Sequence, residues 1–151
     1  MKKNRNESLA WVEKQKNISI NAKIKEFDNP VRGIYGIFYG DEEECAYVGR
    51  SLNIYSRMFK SYGHITQMMY GEHENKQLQN AVDTGQKIHI NLLEEVEYIF
   101  DNYYKDMQKL ASRENYYIDL YQQNNQCLGQ VPEGTSMTKE DWESLKNKEN
   151  N

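Results

Sequence analysis

The sequence predicts an α+β domain, a small three-stranded antiparallel sheet flanked by helices. Three observations point there. Two runs rich in β-branched and aromatic residues, Gly33 to Tyr39 and Cys45 to Gly49, flank a polar loop of hairpin length, Gly40 to Glu44. A third run, Ile88 to Leu93, alternates with a period of two. A long stretch from about Tyr103 to Tyr121 carries apolar residues at helical spacing.

Each element has its own warrant. Glu7 to Lys16 includes Leu9, Trp11 and Val12 and reads as a short helix, followed by a polar link, Asn17 to Asp28, and the turn pair Asn29-Pro30. The compact domain is expected to begin near Val31. The division is a helical arm and linker over 1–30, the main domain over 31–130 and a polar tail over 131–151. The two strands joined by the short loop must be antiparallel. Asn53 is a candidate cap for a helix running to about Lys60, and Gly63 breaks that pattern. A second helix covers Glu74 to Val82 and ends at Thr84-Gly85. The long helix presents Met107, Leu110, Ala111, Tyr117, Ile118 and Tyr121 on one stripe. In the tail, Thr138 with Asp141 resembles a capping box for a last helix carrying Trp142 and Leu145.

Composition narrows the classes of function. Hydrophobic residues make up 38% and charged residues 28% of the 151, enough for one core. No apolar run approaches the roughly 20 residues of a membrane span, and the basic N-terminus has no apolar stretch behind it. The expectation is a cytoplasmic protein with no membrane partner. Cys45 and Cys127 are expected to be free and buried, and no CxxC or HExxH spacing suggests zinc. Nineteen basic against 23 acidic side chains leave a net charge of −4. Charge alone favours a protein or small-molecule partner, because nucleic-acid binders are usually basic.

Several residues stand out chemically. Glu114 falls within the apolar stripe of the long helix, where an unpaired charge is costly. It pairs with an arginine as a structural salt bridge, serves as a hard-metal ligand, or lies at the rim of a cleft. Tyr35 and Tyr47 share a sheet face if Tyr39 pairs with Cys45, and a slip by one would separate them. Each of the two is otherwise ordinary strand packing. Arg50 follows the second strand and Arg57 lies on the next helix; either can hold a phosphate or simply sit in solvent. His64 and His73 are candidate acids or bases, or polar surface.

Taken in order, Gly33-Ile34-Tyr35, then Tyr47-Val48-Gly49-Arg50-Ser51-Leu52-Asn53-Ile54, then Arg57, then Arg113-Glu114-Asn115-Tyr116-Tyr117-Ile118, the chain resembles the GIY-YIG nuclease family. The resemblance runs from Gly33 to about Gln130, roughly two thirds of the chain. It implies the fold of that family and a DNA endonuclease using one Mg²⁺ or Mn²⁺ ion. It implies Tyr35 near the attacking water as general base, Tyr47 positioning water and phosphate, Arg50 near the site, Arg57 on the scissile phosphate and Glu114 on the metal. Relatives often carry His or Tyr four residues after the helix arginine, where this chain has Ser61. Tyr62 and His64 are the nearest substitutes, with His64 favoured because imidazole can shuttle protons. Relatives commonly end in an asparagine; here Cys127-Leu128-Gly129-Gln130 occupies that region, with Asn124 or Asn125 as stand-ins. His73 resembles a histidine that contacts phosphate in some homing enzymes, which puts it with Arg50 and Arg57 as a DNA-binding candidate.

Three functions follow. The leading one is endonuclease on DNA. The others are a nucleic-acid-binding module of the same fold with little cleavage, and a protein-interaction domain. No zinc finger or helix-turn-helix is legible, which leaves open loose cleavage, reading of DNA structure, reading of sequence as a homodimer, or dependence on a partner protein.

Overall fold

The computed structural model describes residues 2–127, 129–131 and 138–150. In chain order the elements are α1 (Lys2–Glu13), β1 (Ile18–Ile20), a 3₁₀ turn (Ala22–Lys25), β2 (Gly33–Tyr39), β3 (Glu44–Ser51), α2 (Ile54–Phe59), α3 (His64–Tyr70), α4 (Lys76–Asp83), β4 (Ile88–Glu95), α5 (Tyr103–Gln122) and α6 (Lys139–Asn150). The α+β class follows. The sheet, however, has four strands in the order β1-β4-β2-β3, and it is mixed rather than antiparallel. The extra strand comes from the link before Val31: Ile18 to Ile20 pairs in parallel with Ile88 to Ile90. Three residues are too few to display an alternation, so nothing in their sequence marks the strand. Val12, Ile18 and Ile24 join the main core, so the compact body takes in residues well before Val31.

The sheet separates two cores. On one face Tyr35, Ile37 and Ala46 pack with Ile54, Met58, Phe59, Ile65, Met68 and Leu78 from α2, α3 and α4. On the other, Ile34, Phe38, Cys45 and Val48 pack with Leu110 and Ile118 of α5. This is the alternation of a pleated strand with both faces covered, which is why β2 is buried almost throughout. The hairpin register pairs Tyr35 with Gly49 and Ile37 with Tyr47, so the two tyrosines share a face. The register shifts after Ile37, and Tyr39 pairs with Glu44 rather than Cys45. The irregularity lies on the loop side of the tyrosines and leaves them together.

Helix ends are fixed locally. The Asn53 side chain accepts the Ser56 N–H at 3.0 Å and caps α2. Gly63 does more than break the helix. A Cβ there would lie 2.5 Å from the Met58 carbonyl oxygen, and only glycine allows α3 to start so close beneath α2. That turn makes His64 the first residue of α3 and buries it at 2% exposure. The Thr138 hydroxyl accepts the Asp141 N–H at 3.1 Å at the start of α6, whose Trp142 and Leu145 are exposed. Cys45 and Cys127 are free and buried, with their sulfurs 2.9 Å apart. Among the described residues no helix is long and apolar enough to cross a membrane.

Candidate active site

The β2–β3 hairpin supplies the centre. The Tyr35 and Tyr47 rings stack with centroids 6.1 Å apart. Glycine at position 49 is what lets the Tyr35 ring lie across β3. A Cβ there would be 2.4 Å from the Tyr35 Oη and 2.8 Å from Tyr47 Cε1. Backbone and phenol approach more closely than any side chain would permit.

His64 rises from α3 under these rings. Its Nε2 is 2.8 Å from Tyr35 Oη, and its ring centroid is 4.8 Å from that of Tyr47. Its Nδ1 is 2.8 Å from His73 Nε2. The Asn75 backbone N–H donates to His73 Nδ1 at 3.0 Å, and the His73 N–H donates to the Gln79 side chain at 2.9 Å. A continuous line of hydrogen bonds therefore runs from the N-cap of α4 to Tyr35. His73 is 2% exposed and both its ring nitrogens are engaged, so neither is left for a phosphate in this arrangement.

Burial and charge set the protonation states. Burial pushes the Tyr35 phenol well above its ordinary value of 10.0; neighbouring Tyr47 adds to this and Arg57 opposes it. Burial, then Arg57 and His73, hold His64 well below the usual imidazole range. Burial and then Arg57 lower His73 to about 4. At neutral pH the site is a neutral phenol over two neutral imidazoles, beside the Arg57 guanidinium.

A cleft of about 620 Å³ opens on this group, lined by Tyr47, Arg57, His64 and His73, with Glu44 and Glu74 among its other walls. The cleft is thus mixed in charge. Tyr62 is 84% exposed, so of the two substitutes for the Ser61 position it is His64 that reaches Tyr35.

Glu114 and Arg50 lie on the opposite face of β3, by strand alternation from Tyr47 and Gly49. Glu114 is 6% exposed, and its Oε1 is 2.6 Å from Arg50 Nη1. The buried carboxylate on the helical stripe has its arginine, as the structural reading requires. Its charge is also close enough to be one of the groups raising Tyr35. The donor chemistry suits a hard cation: one buried carboxylate, with the remaining positions left to water and phosphate oxygens, as Mg²⁺ commonly takes. Among the described residues no cluster of three or more His, Cys, Asp and Glu forms a protein-built cage. A cation would share Glu114 with Arg50.

The loop after α5 contributes residues that sequence reasoning missed. Asn124 and Asn125 are exposed. Gln126 instead accepts the Cys45 N–H at 2.8 Å. Gln130 accepts the Val48 N–H at 2.7 Å and donates to the Val48 carbonyl at 2.6 Å. These amides act as a missing neighbour for edge strand β3 and hold Tyr47 between two fixed points. An exposed backbone edge needing partners was the available signal; glutamines close after the long helix could supply them. Comparison with protein-family models, with curated proteins and with solved structures gives no match to this chain.

Proposed function

We propose that this chain has the GIY-YIG fold and is a metal-dependent DNA endonuclease acting on a phosphodiester bond. The observation that carries the reading is a cleft lined by Tyr47, His64 and Arg57, with Tyr35 buried behind Tyr47 and hydrogen-bonded to His64, and with Glu114 among the charges acting on Tyr35. Burying a phenol and an imidazole beside a guanidinium costs desolvation that an apolar core avoids, which supports a functional role for the group.

The residues divide the work as follows. Arg57 faces the cleft and neutralises the phosphate on which charge builds during in-line attack. Arg50 sits at the same strand end and holds Glu114 in place. Glu114 would hold the divalent ion, which supplies Lewis-acid stabilisation and a more acidic bound water. Tyr35 is a protonated phenol at neutral pH and is fully buried behind Tyr47, so its task is to fix Tyr47, which meets the attacking water at the cleft wall. Tyr47, half-buried beside it, lies where a phosphate oxygen would meet the cleft wall.

The second reading, a nucleic-acid-binding module with little cleavage, is favoured by one observation. The Arg50–Glu114 pair satisfies the carboxylate without a metal. Nicking of supercoiled plasmid in Mg²⁺ or Mn²⁺ separates the two, with Glu114→Gln as the comparison. The expected result is metal-dependent nicking by the native chain and a loss of at least about 100-fold in the variant, as for removal of one electrostatic partner of a transition state. Retention of duplex binding with no nicking by either protein would establish the binding module instead.

A further inference from the structure

The hydrogen bonds from Asn75 to Tyr35 have a direction that the heavy-atom positions determine. The Asn75 backbone N–H can only donate, so His73 Nδ1 must present a lone pair to it. A neutral imidazole with a bare Nδ1 carries its proton on Nε2. His73 Nε2–H therefore donates across the 2.8 Å contact to His64 Nδ1. By the same step His64 has a bare Nδ1 and a protonated Nε2, which donates to Tyr35 Oη at 2.8 Å. Each ring has one tautomer compatible with its neighbours.

We propose that His73 is a positioning residue that fixes His64 as a hydrogen-bond donor to Tyr35, so that the Tyr35 hydroxyl proton points away from the histidines toward Tyr47 and the cleft. His64 is then no proton acceptor. Its one bare nitrogen is occupied by the His73 N–H, and the other already bears hydrogen. This reverses the role that imidazole chemistry alone assigns to His64. Tyr35 Oη then turns its hydrogen toward Tyr47, whose side chain lines the cleft. The polarity is anchored at a backbone N–H of the α4 cap, where Asn75 also accepts the Leu78 N–H at 3.0 Å and donates to the Ala46 carbonyl at 2.9 Å. The Gln79 side chain, 6% exposed, holds the other end of the His73 backbone.

The inference rests on the nuclease reading only for what the Tyr35 hydroxyl does next; the polarity itself is measured without substrate. In ¹⁵N-labelled full-length protein at pH 7, two-bond ¹H–¹⁵N spectra of the imidazoles should show His64 and His73 both as Nε2–H tautomers. The Nε2–H protons should be protected from exchange. In His73→Phe, which offers no donor, His64 should gain a population with its proton on Nδ1 and lose that protection. In His73→Gln the side-chain amide can still donate to His64 Nδ1, and the native tautomer should return. If nicking is present, its kcat should fall about 10-fold in His73→Phe, the lower end of what loss of an orienting partner costs, and recover in His73→Gln. A His64 proton on Nδ1 in the native chain would overturn the proposal. So would a His64 tautomer and protection indifferent to His73→Phe in a variant that melts as the native chain does. Failure of nicking with the tautomers as described would count against the nuclease reading alone.

Discussion

The two faces of the sheet bury polar groups of different kinds, neutral on one and charged on the other. Under β2 and β3 on the α2–α4 side, Tyr35, His64 and His73 are linked by neutral hydrogen bonds, each group kept uncharged by burial. On the α5 side the polar groups are charged: Arg50 pairs with Glu114 at 2.6 Å and Arg113 with Glu94 at 2.8 Å, while buried Asp106 accepts the Ile99 and Phe100 N–H groups and Arg32 donates to the Asp106 backbone carbonyl. The difference follows from what each face can exclude. The first is packed under α2, α3 and α4, which leave His64 and His73 only 2% exposed at the floor of the cleft. The second is bounded by one helix, and of its pairs Arg113–Glu94 lies toward the rim, with side chains 34% and 28% exposed, while Glu114 is buried. A neutral cluster is sensitive to protons, and an ion pair to salt and to loss of its partner.

Acid gives the largest expected effect. His73 is lowered to about 4 in the folded chain, against an ordinary value of 6.5 when unfolded. Above pH 6.5 both states are neutral at this ring and its contribution to stability is complete. As pH falls from 6.5 toward 4 the unfolded chain takes up a proton that the folded chain refuses, and stability declines; below 4 the effect levels off. The loss from this ring is on the order of 3 kcal/mol. Protonation at Nδ1 would also oppose the Asn75 N–H. Urea midpoints at pH 7, 5.5 and 4, in the native chain and in His73→Gln, check this. The native curve should be the steeper, and parallel curves would mean that His73 is not a buried neutral group.

Gly49 comes next, because it is the point at which the tyrosine face depends on a missing side chain. Gly49→Ala would put a methyl 2.4 Å from the Tyr35 hydroxyl and 2.8 Å from the Tyr47 ring, and neither is the end of a flexible chain. The expected cost is about 1–3 kcal/mol, typical of overpacking. It should appear as a lower urea midpoint at unchanged slope, with loss of His64 Nε2–H protection as the Tyr35 ring is pushed aside. An unchanged midpoint would show that the rings have room to spare.

Legibility in the sequence followed the range of the interaction. Gly33 to Tyr39 was readable as a strand, and Asn53 as a cap, because each is decided by neighbours within a few residues. The common face of Tyr35 and Tyr47 followed from hairpin register, a short-range constraint that the later bulge did not disturb. Glu114 was readable as a buried carboxylate, but its partner Arg50 comes from a strand 64 residues away. The His64–His73 contact was not readable at all. It needs Gly63 to start a helix where its type suggests only a break, and it needs the loop before α4 to fold back over α3. β1 was missed because three residues carry no period, and its pairing with β4 spans 70 positions. The amides of Gln126 and Gln130 answer an edge that exists only once the sheet is assembled.

The smallest expected effect tests the ion-pair face where it is nearest to solvent. Arg113 makes two contacts with the Glu94 carboxylate through Nε, at 2.9 and 3.0 Å, and stacks 4.4 Å from the Tyr116 ring centroid. Glu94 has a second partner in the Tyr117 hydroxyl at 3.0 Å, so removing the arginine leaves the carboxylate hydrogen-bonded and partly hydrated. Arg113→Ala should therefore cost less than about 1 kcal/mol, and raised salt should shrink the difference between variant and native chain. Because Arg113 and Glu94 belong to the α5 side of the sheet, the variant should leave the His64 and His73 tautomers untouched. A cost well above that, insensitive to salt, would mean that α5 is held to the sheet by this pair more than by Leu110 and Ile118, and that the two faces are less different than their chemistry indicates.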